Sequence, residues 1–438
     1  MPVSENASII WVVAALATCG VILRPWRIPE YAWAMGGALL LTALGLITPH
    51  SALAAVAEGS DVYLFLIGMM VLAELARQEG LFDWLAHYAV QHARGSGQRL
   101  FDLVFLVGTL VTVFLSNDAT AVVLTPAVYA ACKAAKAEPL PYLFICAFIA
   151  NAASFVLPIS NPANLVVFGS QMPPLLDWLR QFSLPSLAAI ALTYVALRLS
   201  QRRQIRQPLA LNVQTLPLSA GARLCAVGIA FTAVLLLGAS ALDQALGLPT
   251  FCAGVATTAL IHLRQRRSPT PVLRHIAWGV LPLVAGLFVL VEAVAQTGLV
   301  VRLAHALAAL AEGSPNTASW VAGTGVAIAS NLMNNLPTGL IAGAMGSVVE
   351  LPQQTTAALL IGVDLGPNLS ITGSLATLLW LVAIRREGEH VGAWHFLRLG
   401  LLVMPLPWLP RCWRCGCNPA HAWGSEAALD LTSAEIAG

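Results

Sequence analysis

Long apolar runs separated by short polar islands make up most of this chain. The stretches Ile9 to Leu23, Tyr31 to Leu46, Phe182 to Leu199, and residues 222–240, 249–263 and 277–297 each read as an apolar membrane helix. Two regions break the pattern. Between Arg99 and Lys133 the ends are basic and the middle is apolar, with Ser116-Asn117-Asp118 at the centre. Its two arms, about 17 and 14 residues, would reach about 25 Å and 21 Å as helices, short of a hydrocarbon core about 30 Å thick. A re-entrant helical hairpin with its tip near the midplane is expected. From Pro141 to Leu176 there is no charged residue, only the interruption Pro158-Ile159-Ser160-Asn161-Pro162-Ala163-Asn164. That segment reads as a single crossing by a broken helix, and irregular backbone at membrane depth is tolerated only where protein or a water-filled cavity surrounds it.

Composition fixes the setting. Of 438 residues, 58% are hydrophobic and 10% charged, against about 25% charged in a soluble domain. Such a chain must present most of its surface to lipid, in ten or so spans. A net charge of +2 without a long basic run gives no reason to expect nucleic acid as a partner. The first apolar run has no basic segment before it and no small-residue cleavage site after it, so it reads as a retained span. Arg24/Arg27, Arg94/Arg99, Lys133/Lys136, Arg202/Arg203/Arg206, Arg264/Arg266/Arg267/Arg274 and Arg385/Arg386 are expected on the cytoplasmic side.

The second half of the chain repeats the first. Val71 to Leu81 matches Val289 to Leu299, keeping Glu74/Glu292, Gln78/Gln296 and Gly80/Gly298 in register, and the match continues from His87 to His305. Ser116-Asn117 pairs with Ser330-Asn331 in this reading, and Ser160-Asn161 with Gly373-Ser374. A second hairpin, Asn316 to Val349, enters from the opposite face, and a second broken helix runs from Gln354 to Ile384. The fold class is therefore an all-α polytopic membrane protein of two inverted-topology repeats, 1–208 and 209–410, with a polar tail at 411–438. Inverted repeats, broken helices and a midplane site are marks of secondary transporters.

The two tips and two breaks should converge. They offer Ser116, Asn117, Asp118, Ser160, Asn161, Asn164, Asn331, Asn334, Asn335, Asp364, Gly373, Ser374 and Thr377 as substrate-binding candidates. Half-helix N-termini there suit anions or polar oxygens. The competing reading is that these groups only satisfy backbone freed by Pro158, Pro162, Pro337 and Pro367. Burying an ionised carboxylate costs several kcal/mol, so Asp118, Asp364, Glu74 and Glu292 are the proton-coupling candidates. His87 and His305 read as interfacial. No HExxH, G-x-S-x-G or P-loop is present, and Gly362-Val363-Asp364 lacks the partner motif of an intramembrane aspartyl protease. Neither a catalytic residue, a metal nor a cofactor is expected.

At these motifs the sequence resembles the arsenite permease branch of the ion transporter superfamily. The stretches that carry the resemblance are Phe114 to Ala121, Cys146 to Asn151, Met333 to Pro337, Gly362 to Pro367 and Ile371 to Trp380, within similarity running from about residue 60 to 405. It implies a multi-pass inner-membrane protein exporting arsenite or antimonite by the proton motive force. A cytosolic ATPase and a second copy of the chain are candidate partners. The family typically has an acidic residue where Asn151 stands. Sodium-coupled dicarboxylate carriage and sodium/proton antiport are the alternatives in the same superfamily.

The C-terminus departs from the pattern. The span beginning near Trp394 meets Pro405, Pro407, Pro410, Arg411 and Arg414 where about 20 apolar residues are expected. Cys412, Cys415 and Cys417 could be read as a metal or metalloid site, but a shifted reading frame after about residue 406 explains the composition better.

Overall fold

A computed structural model of the protein describes residues 5–169, 172–210 and 216–404, and these are helical with no named strand. The reading of the tail after residue 404 lies outside the described residues. Helices α1 (Glu5–Leu23) and α2 (Glu30–Ala43) come first, and α3 (Pro49–Glu58) meets α4 (Ser60–Gln78) across a 48° bend. Gly80, at φ 76°, then turns the chain into α5 (Leu81–Ala93). The first hairpin follows as α6 (Gly97–Phe114), α7 (Asn117–Ala119), a π turn at Thr120–Leu124, and α8 (Thr125–Ala134). The first broken helix is α9 (Leu140–Ala152) and α10 (Pro162–Phe168), and α11 (Leu175–Ser200) follows it. α11 begins earlier than the expected Phe182, at Leu175 directly after Pro174, and it carries Pro185 inside it.

The second half runs α12 (Ala220–Ala241), α13 (Gly247–Gln265), α14 (Thr270–His275), α15 (Val280–Gln296) and α16 (Leu299–Gly313). Its hairpin is α17 (Pro315–Met333) and α18 (Asn335–Val348), and its broken helix is α19 (Gln353–Leu365) and α20 (Leu375–Arg386), followed by α21 (Ala393–Val403). The order from α4 to α10 thus recurs from α15 to α20, and Gly298, at φ 77°, turns the chain where Gly80 did. The halves interlock. α13 crosses α4 at Gly68, where a Cβ would lie 2.5 Å from the carbonyl carbon of Thr250. α2 crosses α15 at Gly286, where a Cβ would lie 2.7 Å from the carbonyl carbon of Ala34. Backbone-to-backbone crossings of this kind need a residue without a side chain.

Four helices among the described residues are long and apolar enough to cross a membrane, or six counting the bent pairs α3–α4 and α15–α16. The ten or so spans expected are reduced on this measure because the hairpin and broken-helix segments are short, with α9, α18, α19 and α20 of 12 to 14 residues each, and because some longer helices carry polar residues on the face they bury. α13 buries Thr250, Gly254, Thr257, Thr258 and His262, and α17 buries Ser319, Gly323 and Ser330. α9 is buried on every face from Pro141 to Ala152. Lipid does not choose the composition of such helices; their neighbours do.

Four of the six basic clusters meet at one end, and a fifth lies against the C-terminus of α4. Leu209 N donates to Gly95 O (3.0 Å) and Ala210 N to Ala135 O (2.9 Å), joining the Arg206, Arg94 and Lys136 segments. Tyr129 Oη donates to Glu387 O (2.9 Å) and Lys133 pairs with Glu389 (3.8 Å), adding the Arg385/Arg386 loop. Glu79 accepts from Gln265 (2.9 Å), which brings the Arg264 to Arg267 loop to the same end as the C-terminus of α4.

Candidate functional site

Four half-helices start at the centre, and each is capped by a residue the sequence singled out. Ser116 Oγ accepts from Ala119 N (3.1 Å), Asn161 Oδ1 from Ala163 N (3.0 Å), Asn334 Oδ1 from Leu336 N (3.3 Å) and Ser374 Oγ from Thr377 N (3.0 Å). Short polar side chains at these positions satisfy first-turn N–H groups that a helix leaves without partners. Inside the four starts lies a cavity of about 30 Å³. Asn117 and Asp118, Pro162, Asn335 and Leu336, and Leu375 and Ala376 line it, which are the first residues of α7, α10, α18 and α20. Leu66 of α4 and Val280 and Val284 of α15 complete the wall with Asn161. Both tips and both breaks therefore converge as expected. The partial positive ends of four helices face one small space, together with the carboxyl of Asp118.

One pairing differs from the sequence reading. The residue that starts the second hairpin's return helix is Asn335, so Asn334-Asn335 stands where Ser116-Asn117 stands in the first half, 218 positions earlier. Ser330-Asn331 lies one turn back, still in α17. The chemistry of the pair misled the alignment, because cap geometry, not residue type, defines the tip. Asn331 works as a staple: its Nδ2 donates to Ala327 O (2.7 Å) and Gly366 O (2.8 Å), fixing the second break against α17. Ser160 does the same in the first half by donating to Val113 O (2.9 Å). Asn164 donates to three carbonyls of its own break, those of Ser154, Leu157 and Pro158. Gly373 O accepts from Asn335 N (2.8 Å), joining tip to break.

Asp364 sits against this cavity on the far side of Asn161. It is fully buried, and its carboxylate is held by Asn161 Nδ2 on Oδ1 (2.8 Å) and by Ser154 Oγ on Oδ2 (2.7 Å). Ser154 Oγ is also 2.7 Å from Asn151 O, so one hydroxyl proton has two acceptors. If the carboxyl gains a proton on Oδ2, its O–H can donate to Ser154 Oγ while Ser154 turns to Asn151 O. Every hydrogen bond then survives a change of charge. Asn151 is the counterpart of Asp364 in the first half, 213 positions earlier, and crosses to the second half by donating to Asn368 Oδ1 (3.0 Å) and Thr377 Oγ1 (3.2 Å). Its own Oδ1 is buried without a partner. Ser154 and Asn368 were not read from the sequence. Their signal was position alone: Ser154 lies in the break between a uniformly apolar half-helix and Pro158, and Asn368 follows Pro367 in the second break.

Glu74 and Glu292 are not brought to this centre. Glu74 is clasped by Arg77 (2.7 and 2.6 Å) and Gln78 (2.7 Å), while Glu292 accepts from Gln296 (2.8 Å) and lines a separate cavity. Among the described residues no group of three or more His, Cys, Asp or Glu side chains is placed to hold a metal ion.

Interlocked broken helices around a buried, capped centre define a polytopic membrane transporter. The model of a family described as citrate transporter matches residues 11–363, and the chain belongs to that family. It is 30% identical over 355 residues to the arsenical pump membrane protein of Yersinia enterocolitica, covering 78% of this chain and 82% of that one. The arsenical pump membrane protein of Escherichia coli K12 is 29% identical over 365 residues, with the same coverage. Among solved structures, the YdaH transporter of Alcanivorax borkumensis superposes with a TM-score of 0.54 at 16% identity, over 83% of this chain and 85% of that chain, a likeness of fold.

Proposed function

We propose that the protein is a proton-coupled exporter of trivalent arsenic and antimony hydroxides, built from inverted halves at 1–208 and 209–410 with its basic end in the cytoplasm. The observation that carries the coupling is the Asp364–Ser154–Asn151 relay, which keeps its hydrogen bonds with or without the proton. Asp364 and Asp118 are the proton-coupling candidates retained; Glu74 and Glu292 lie away from the path between them. Arsenite at neutral pH is a small uncharged trihydroxide. Its oxygens suit the four helix starts, and its hydroxyl hydrogens suit Asp118 and the amide oxygens of the wall. The relatives' name, arsenical pump membrane protein, points the same way.

A second reading, carriage of a carboxylate anion, draws on the family's description and on the same four helix N-termini. One feature weighs against it. No Lys, Arg or His is among the residues lining the central cavity, whereas Asp118 is. Everted membrane vesicles separate the readings. Arsenite uptake that rises with an imposed proton gradient, beside flat citrate and succinate uptake with or without sodium, is expected. Sodium-stimulated uptake of either acid without arsenite uptake would overturn the proposal.

A further inference from the structure

The larger cavity, about 670 Å³, opens at the end of the helices away from the basic loops. Its wall includes Glu58 and Val62 near the start of α4, whereas the C-terminus of α4 meets the basic end through Glu79. This vestibule and the central cavity share four helices, each lining both at positions a turn apart. The pairs are Val62 and Leu66 on α4, Leu165 and Pro162 on α10, Phe288 and Val284 on α15, and Leu340 and Leu336 on α18. A helix rises about 6 Å over four residues, so only one apolar layer separates the two spaces. α4 passes the layer in one direction and its counterpart α15 in the other.

The matching place at the basic end is shut. Glu74, counterpart of Glu292, is 8% exposed and neutralised by Arg77, and Lys133 and Tyr129 tie the first hairpin to the loop after α20. The counterpart of Arg77 is Ala295, in the vestibule wall. The vestibule's charges are therefore Glu58, Glu292 and Glu350, with no Lys, Arg or His among its lining residues. Arg302, nearby on α16, donates to Gly298 O and does not line it.

We infer that this vestibule is the outer mouth of the transport path, that Leu165, Phe288 and Leu340 form the gate closing it from the central site, and that the mouth admits uncharged and cationic solutes in preference to anions. The inference rests on the transport reading above but not on the identity of the substrate. A low-dielectric mouth carrying one sign of charge focuses its field and repels like-charged solutes.

Thiol labelling of intact cells tests it, with the chain lacking the added cysteine as background. With every rate taken relative to the same reagent's rate with a free small thiol, Ser347→Cys, in the vestibule, is expected to react with an impermeant quaternary-ammonium methanethiosulfonate, and severalfold more slowly with the sulfonate reagent. Ala376→Cys, at the central cavity, is expected to react at least about tenfold more slowly than Ser347→Cys, equivalent to roughly 1.4 kcal/mol of closure. Adding Leu340→Ala should raise the Ala376→Cys rate and leave that of Ser347→Cys unchanged. Labelling of Ser347→Cys from everted vesicles only would overturn the outer mouth. An Ala376→Cys rate indifferent to Leu340→Ala, with protein in the membrane at normal level, would overturn the gate. Equal rates with the two reagents would overturn the charge preference. Arsenite is absent throughout, so these outcomes are independent of what is transported.

Discussion

Asp364 can change charge without losing a hydrogen bond, and that makes the effect of single substitutions calculable. In Asp364→Asn, Oδ1 still accepts from Asn161 Nδ2, and the new amide can donate to Ser154 Oγ while Ser154 donates to Asn151 O. The variant is expected at normal level in the membrane, with stability unchanged and proton-driven transport lost. Retained dependence on a pH gradient in vesicles would move the coupling to Asp118. Ser154→Ala is the complementary test, because it strips the carboxyl of one partner in both states. Leaving a buried polar group unpaired costs about 1–3 kcal/mol, so the solubilised variant is expected to be less stable than the parent by roughly that amount. Much of this was legible beforehand: Asp364 stood out as a charge in an apolar span, and Ser116, Asn161, Asn334 and Ser374 as polar residues at breaks. Ser154 was not, because a serine in a break gives no sign of which carboxylate it will meet across 210 positions. Glu74 and Glu292 misled for the opposite reason. Their register across the repeat was real, but repetition alone does not place a residue at the symmetry centre.

At the scale of elements, the breaks and tips could be read from proline and polar clusters because an apolar helix must stop for a physical reason. The helix crossings could not, since one glycine in an apolar run looks like any other until a partner lies on it. Gly68 and Gly238 show the difference. A Cβ at Gly68 would sit 2.5 Å from the backbone of Thr250, so Gly68→Ala must push α13 off α4, whereas a Cβ at Gly238 meets nothing within 4 Å. Gly68→Ala is expected to lower the yield and melting temperature of detergent-solubilised protein. Gly238→Ala should leave both unchanged or raise them, since alanine in a helix interior is favoured over glycine by about 1 kcal/mol. Equal behaviour of the two variants would show that the crossing is looser than the structure has it. Sequence also under-described how α13 and α17 earn their place: their threonines, serines and glycines look unsuited to a span but suit a wall made of other helices.

At the scale of the whole molecule, the proposed inversion of the halves rests on charge and on the layer shared by the two cavities. α4 passes from the vestibule toward the centre as its residue numbers rise, from Val62 to Leu66, whereas α15 passes from the centre to the vestibule, from Val284 to Phe288. α4 and α15, counterparts in sequence, therefore cross that layer in opposite senses. If the basic end is cytoplasmic, Glu79, after α4, lies inside, and Thr297, 218 positions later and after α15, lies outside. Reporter fusions truncated at these two positions test the arrangement with a single pair. Fusion after Glu79 should give green fluorescence and no alkaline phosphatase activity, because fluorescent protein matures in the cytoplasm and the phosphatase outside it. Fusion after Thr297 should give the reverse. A pair reporting the same side would rule out inversion and leave a parallel repeat. A reversed pair would keep the inversion but put the basic loops outside, and the vestibule at Glu292 would then face the cytoplasm as an entry, not an exit.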